Sequence, residues 1–178
     1  DMKSTGFTDQ LTWKNDQHTV VGGIEYYKDE IPYFYSYGST SGAQGHHASN
    51  TAFYIQDDWK ITDKWNVTPG IRFDHHSTFG NHTTPAITVG YKANENTNYY
   101  LGYKEFFVAP DLYQLFDHYS GNKDLDPQEG STWQIGMNKQ INDSLSMTLN
   151  LYRTHAKNLI IYNYDTWNYD NLGNAKNA

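Results

Sequence analysis

The stretch Tyr99–Glu129, YYLGYKEFFVAPDLYQLFDHYSGNKDLDPQE, decides how the rest of the chain is read. Tyr99, Leu101 and Tyr103 alternate with Tyr100, Gly102 and Lys104, the period-two pattern of a strand with two different faces. Ala109-Pro110-Asp111 ends it, because proline offers no N–H to a ladder and restricts the residue before it. An aromatic loop follows, closed by Gly121-Asn122-Lys123-Asp124-Leu125-Asp126-Pro127.

Outward from this stretch the punctuation alternates. Short polar turns sit at Asn15-Asp16, Thr62-Asp63-Lys64, Ala93–Asn96 and Asn142-Asp143, all rich in turn-forming residues. Longer connections run from Ser36 to Asn50, His76 to Thr83, Ala109 to Gly130 and Tyr164 to Asn171. Short turns at one end and long loops at the other predict an antiparallel up-and-down sheet, and about eight strands result. They run from Ser4 to Lys14, His18 to about Tyr35, Thr51 to Ile61, Trp65 to Asp74, Pro85 to Lys92, Tyr99 to Phe107, Trp133 to Asn138 and Leu145 to Tyr152. Most carry one apolar face. The fourth sets Trp65, Val67, Pro69, Ile71 and Phe73 against Asn66, Thr68, Gly70, Arg72 and Asp74; the eighth sets Leu145, Met147, Leu149 and Leu151 against Ser146, Thr148, Asn150 and Tyr152. Asp9 and Asp57 fall on apolar faces, and Pro69 predicts a bulge.

Composition narrows the classes. Only 37% of residues are hydrophobic and mean hydropathy is −0.82, yet 16% are aromatic, with 16 Tyr and 5 Trp, which a disordered chain lacks. A net charge of −7 with 13 Lys+Arg excludes a nucleic-acid surface, which needs a basic stripe. With no cysteine there is no disulfide scaffold, thiolate metal site or cysteine nucleophile. No apolar run approaches the roughly 18 residues of a membrane helix, but a spanning barrel carries its lipid face on every second residue. Trp13, Trp59 and Trp65 beside the short turns, and Trp133 near the opposite rim, fit the aromatic girdles of such a barrel; tryptophans also close hairpins in soluble sheets. Periodicity alone leaves the inner face open: polar in a wide barrel, apolar in a sandwich. Asp1-Met2-Lys3 leads straight into patterned sequence with no leader pattern, and Asn171–Ala178 reads as a strand beginning, so we expect a piece of a larger domain.

Several segments in order resemble the barrels of TonB-dependent outer-membrane receptors. Phe53–Lys64 looks like the family's aromatic-x-Gln-Asp-Glu-Trp strand and Pro69–Asp74 like its Gly-Leu-Arg-Tyr-Asp strand. Tyr99–Ala109 and Gly121–Glu129 resemble the aromatic-Arg-Ala-Pro … Asn-Pro-Asp-Leu-x-Pro-Glu segment, Ser144–Ile161 the next Leu-x-Leu strand and Asn171–Ala175 its Asn-x-Gly-x-Ala continuation. Val108 stands where the family has arginine, and Lys123 where it has proline. The resemblance implies a transmembrane β-barrel segment over residues 1–178, in the outer membrane of a Gram-negative bacterium, without the plug domain and TonB box. It implies a non-enzymatic role in active uptake of a scarce ligand: an iron–siderophore complex first, haem or cobalamin otherwise. Its partners would be the bilayer, the plug, and TonB with the inner-membrane energising complex. The alternative is a soluble or surface-displayed β domain binding carbohydrate through loop tyrosines.

Candidate contacts lie on the long loops. His118 sits between the Ala109-Pro110 stop and the Gly121-Asn122 re-entry, and haem receptors of this family resemble that layout. His46 and His47 are neighbours that point apart if extended, so they are no ready chelate. Tyr35, Tyr37, Tyr113 and Tyr119 can stack on a siderophore or sugar and donate a hydrogen bond. The ordinary role of each is to be solvated or to pack loop on loop. Asp111, Asp117, Asp124 and Asp126 form no Asp-x-Asp-x-Asp-Gly calcium loop, and no catalytic motif, metal set or cofactor motif is present.

Overall fold

In a computed structural model of the chain, residues 2–32, 35–36, 39–40 and 45–177 are described. Their elements are β1 (Lys3–Lys14), β2 (His18–Ile31), β3 (Tyr35–Ser36), β4 (Ser39–Thr40), β5 (His46–Lys60), β6 (Trp65–His76), β7 (Gly80–Asn94), β8 (Thr97–Val108), α1 (Leu112–Phe116), β9 (Gln128–Asn142), β10 (Leu145–Asn163) and β11 (Asn168–Asn177). The large sheet follows chain order, β1-β2-β5-β6-β7-β8-β9-β10-β11, with every neighbouring pair antiparallel; β3 and β4 form a separate two-stranded hairpin. The up-and-down expectation holds, with nine strands in the sheet.

The pleat separates two chemistries. His18, Trp59, Val67, Val89, Leu101, Ile135 and Leu151 are successive cross-strand partners and form one row on one face. The row starts at the first residue of β2 and is well up β9 and β10 by its end. That stagger is the strand tilt a barrel needs. Phe7, Leu11, Phe53, Ile55, Phe73, Leu101, Ile135, Leu149 and Leu151 on this face are each about half exposed or more, covered by nothing among the described residues. A sandwich would have buried them. The opposite face carries Gln56, Arg72, Asp74, Lys104, Gln134 and Asn150, with glycines lying under long side chains. At Gly136 an added Cβ would run into the Tyr100 ring, and at Gly23 into the Tyr54 phenol.

Expectations about boundaries change in instructive ways. The connections at His76–Thr83 and Tyr164–Asn171 are not long loops: β6 and β7 are joined through Ser77–Phe79, and β10 and β11 through Tyr164–Trp167. Asn and His side chains explain the contraction. His76 Nδ1 accepts from the Thr78 and Phe79 N–H groups (3.2 and 3.3 Å), and Asn163 Oδ1 accepts from the Asp165 N–H (2.9 Å). β5 starts at His46 rather than Thr51, β2 stops at Ile31 rather than near Tyr35, and β9 and β10 are much longer than their apolar cores. Pro69 makes no bulge: β5 and β6 hold one register on either side of it, from Gln56–Gly70 to Trp59–Val67. The charge of Asp57 on the apolar face is also answered, since His18 Nδ1 lies 2.7 Å from Asp57 Oδ2 and its ring stacks on Trp59.

Candidate functional site

Between β8 and β9 the chain leaves the wall and crosses the polar face as a strap, 109–127. Pro110 ends the ladder, and Asp111 then starts α1 with a capping box. The Gln114 N–H donates to Asp111 Oδ1 (2.7 Å) and the Asp111 N–H donates to Gln114 Oε1 (3.0 Å). At five residues this helix is too short for a periodic apolar signal, so it was invisible in the pattern. Its buried face, Leu112 with the half-buried Phe116, packs on Ile31 at the end of β2 and Ala48 of β5. His46 stacks flat on Phe116, with ring centroids 3.7 Å apart, and the Lys123 ammonium lies 5.7 Å from the same ring.

The other end of the strap is tied to β11. The Tyr169 N–H donates to Ser120 O (2.9 Å), Asn122 Nδ2 donates to Tyr169 O (2.9 Å), and the Asp126 N–H donates to Asn171 Oδ1 (2.7 Å). Asn171 Nδ2 returns bonds to Asp126 O and Asn158 O. Asp117 organises the middle, its Oδ2 accepting from the Tyr119 and Ser120 N–H groups and the Ser120 hydroxyl. The Gly-Asn…Pro re-entry therefore has a mechanical reason: Asn122 and Asp126 dock on β11 before Pro127 leads into β9.

The strap holds Tyr113, His118 and Tyr119 exposed on one short segment, with the His118 and Tyr119 rings edge to face at 5.0 Å. Burial and the neighbouring Asp117 raise the Tyr113 phenol above its ordinary value, keeping it a hydrogen-bond donor. His46 joins this group through Phe116, whereas His47, its neighbour, lies on the opposite face of β5 beside Glu30. Tyr35 lies in β3, and Tyr37 falls outside the described residues.

Three further features involve residues outside the candidate contacts named above. On the polar face Arg72 clamps two carboxylates, with Nη1 2.7 Å from Glu25 Oε2 and Nε 2.9 Å from Asp74 Oδ2; Asn50 Nδ2 adds a bond to Asp74 Oδ1 (2.7 Å). The alternation Arg72-x-Asp74 on one face was the available signal. At the rim, His82 bridges to Glu129 Oε1 (3.1 Å) and stacks on Phe107 at 3.6 Å. At the β10–β11 tip, Tyr164 and Trp167 are exposed, and Trp167 sits at φ 61°, a left-handed conformation that bulky residues avoid. Among the described residues no three His, Asp or Glu side chains converge closely enough to hold a metal ion.

Comparison with known proteins agrees with this geometry. The family model for the TonB dependent receptor-like beta-barrel matches residues 2–178. The chain is 29% identical over 160 residues to the vitamin B12 transporter BtuB of Vibrio cholerae, covering 89% of the chain and 24% of that protein. Among solved structures, the siderophore receptor PirA of Pseudomonas aeruginosa superposes with a TM-score of 0.85 at 22% identity, over 98% of this chain and 35% of that one. The copper transporter OprC superposes with a TM-score of 0.78 at 15% identity, over 98% and 33%. The chain thus spans about a quarter to a third of the length of the relatives it matches.

Proposed function

The chain belongs to the TonB-dependent receptor family, as part of its non-enzymatic β-barrel in the Gram-negative outer membrane, and from that premise we propose that it helps a receptor capture and import a scarce iron–siderophore complex. The reading as a soluble β domain binding carbohydrate falls, because the family model spans residues 2–178 and the apolar face is left uncovered among the described residues. The single observation that carries the cargo reading is the strap. It crosses the lumen-facing side from β2 and β5 to β11 and presents Tyr113, His118 and Tyr119 together at the outer end of the wall. Two phenols and an imidazole on a tethered segment can stack on a catecholate or hydroxamate chelate and donate hydrogen bonds to its oxygens. Tyr35 and His46 lie in neighbouring rim segments and are proposed as accessory contacts, with Tyr37, outside the described residues, proposed on sequence alone; His47, on the other face of the wall, is proposed only through rim movement. The plug, TonB and the inner-membrane energising complex belong to other parts of the assembly in this reading.

Cobalamin is the second cargo, favoured by the similarity to a vitamin B12 transporter. The full-length receptor, titrated in detergent with ferric siderophore chelates, cyanocobalamin and haemin, decides among them. A ferric chelate is expected to bind, with a loss of about tenfold or more in the double variant Tyr113→Ala/Tyr119→Ala, the scale of one or two lost stacking contacts. Binding of cyanocobalamin alone would move the assignment to the second cargo. A haemin Soret band that disappears in His118→Ala would move it to haem.

A further inference from the structure

On the polar face of the wall, long side chains lie down. Four of them face a glycine in direct cross-strand register: Tyr54 opposite Gly23, Asn66 opposite Gly90, Gln134 opposite Gly102 and Tyr100 opposite Gly136. In each pair the partner's side chain occupies the space where a glycine Cβ would stand. Gly90, Gly102 and Gly136 are buried in this way, although the wall is one sheet thick. Tyr54 crosses Gly23 of β2, and its hydroxyl donates to Gln10 Oε1 on β1 (3.0 Å). Asn66, Gly90, Tyr100, Gly136 and Asn150 form one row across β6 to β10, in which long residues and glycines alternate.

Side chains of a sheet ordinarily stand perpendicular to it. An upright layer takes about 5 Å, half of the roughly 10 Å between packed sheets. A tyrosine that lies over a glycine covers its neighbour's backbone instead and leaves most of that depth clear. The lipid face is built the other way. Gly22, beside Gly23 but facing lipid, meets Tyr54 O at 3.5 Å and Ile55 Cγ1 at 3.9 Å, which is ordinary contact. Its two cross-strand partners, Leu11 and Ile55, stand exposed and do not cover it. Filling the space beside a glycine would serve the sheet equally on either face. That long residues do so on the polar face points to the lumen as the reason.

We propose that these glycines are clearance residues for import: they let Tyr54, Asn66, Tyr100 and Gln134 lie flat, so that cargo passes along this part of the wall. The proposal rests on the import reading above and holds whichever cargo is imported. Gly136 and Gly102 isolate the effect. A methyl added at Gly136 meets only atoms of the Tyr100 ring, and one at Gly102 meets only the Gln134 side chain. The ladder can stay as it is while the side chain turns up into the passage. Gly23 is less clean, because a methyl there also meets the Asp9 backbone oxygen at 2.7 Å.

The test uses the full-length receptor in cells and a radiolabelled ferric siderophore chelate, or cyanocobalamin if the titration above selects it. Surface binding is measured without energy and import with it. Gly136→Ala should bind as the wild type does and import about tenfold more slowly, which corresponds to about 1.4 kcal/mol on the barrier to passage. Gly136→Ala/Tyr100→Ala has no ring to raise and should recover import to within about twofold of wild type. Tyr100→Ala alone should import normally, since the ring is an obstacle held down and not a cargo contact. Gly102→Ala, whose methyl meets the flexible end of Gln134, is the milder variant and should slow import about threefold. Gly22→Ala on the lipid face should change neither readout. Import unchanged in both Gly136→Ala and Gly102→Ala, no recovery in the double variant, or slow import in Tyr100→Ala alone would each overturn the proposal. A change of probe to cyanocobalamin would move the cargo assignment and leave these expectations as they stand.

Discussion

The wall and the strap solve opposite problems with the same residue types. In the wall, Leu11, Ile55, Leu101, Ile135 and Leu151 stay uncovered because lipid covers them, and order comes from the ladder between strands. In the strap, Leu112, Leu115 and Leu125 are each 3% exposed, since a segment outside the bilayer must bury its own apolar groups. With Ile31 and Ala48 beside them, most of the buried hydrophobic residues among those described gather at this end of the molecule. The wall is stabilised by its solvent, and the strap by a small core of its own.

Charge placed in the middle of the wall is the hardest test of that contrast. Leu101→Arg puts a guanidinium at the centre of the apolar row and is expected to cost about 2–4 kcal/mol of folding free energy in a bilayer, measured by reversible denaturant unfolding of the full-length receptor in vesicles. A charge introduced on the polar face, Gln134→Arg opposite Gly102, should cost almost nothing. Equal effects would mean that both faces see the same medium.

The wall was legible in the sequence for the reason that makes it stable. A strand with lipid on one side and a polar lumen on the other cannot slip by one residue without exchanging its faces, so the period-two pattern is strict. That pattern identified the faces of most of the eight expected strands, including the small-residue side of β8 and β9, and the Trp positions near the turns; β11 was legible only as a strand beginning at Asn171. What it could not supply was the extent of strands beyond the bilayer. Past Tyr152 and before Trp133 the alternating pattern no longer has lipid to answer to, and β9 and β10 continue on backbone pairing with a side-chain bond between the Thr132 and Thr154 hydroxyls (3.0 Å). The turns at Ser77–Phe79 and Tyr164–Trp167 read as long loops because their closing bonds come from His76 and Asn163, residues that look like loop members. The strap's exposed Tyr113, His118 and Tyr119 were visible as candidates, but their grouping depends on Asp117 and on a docking partner, β11, about fifty positions further along.

Smaller changes should act on the strap alone. Phe116→Ala removes the ring that His46 and Lys123 both contact and is expected to cost about 2 kcal/mol locally, roughly half the value for a fully buried phenylalanine. Amide hydrogen exchange across 112–126 should accelerate by an order of magnitude or more, with β6 to β8 unchanged. Protection lost throughout the sheet would show that strap and wall are one cooperative unit. Smaller again is Asp111→Ala, which removes the cap of α1 at a cost of about 1 kcal/mol, and exchange should rise at Leu112–Gln114 first.

The central claim is that β10 alternates between lipid and water along its lower half. These 178 residues contain no cysteine, so single cysteines can be placed at will within them. Spin labels at positions 147 through 151 of the full-length receptor in a bilayer should alternate. Collision with oxygen should be high at 147, 149 and 151, and collision with a water-soluble nickel complex high at 148 and 150. An inverted phase, or no alternation at all, would contradict the assignment of the apolar face to lipid.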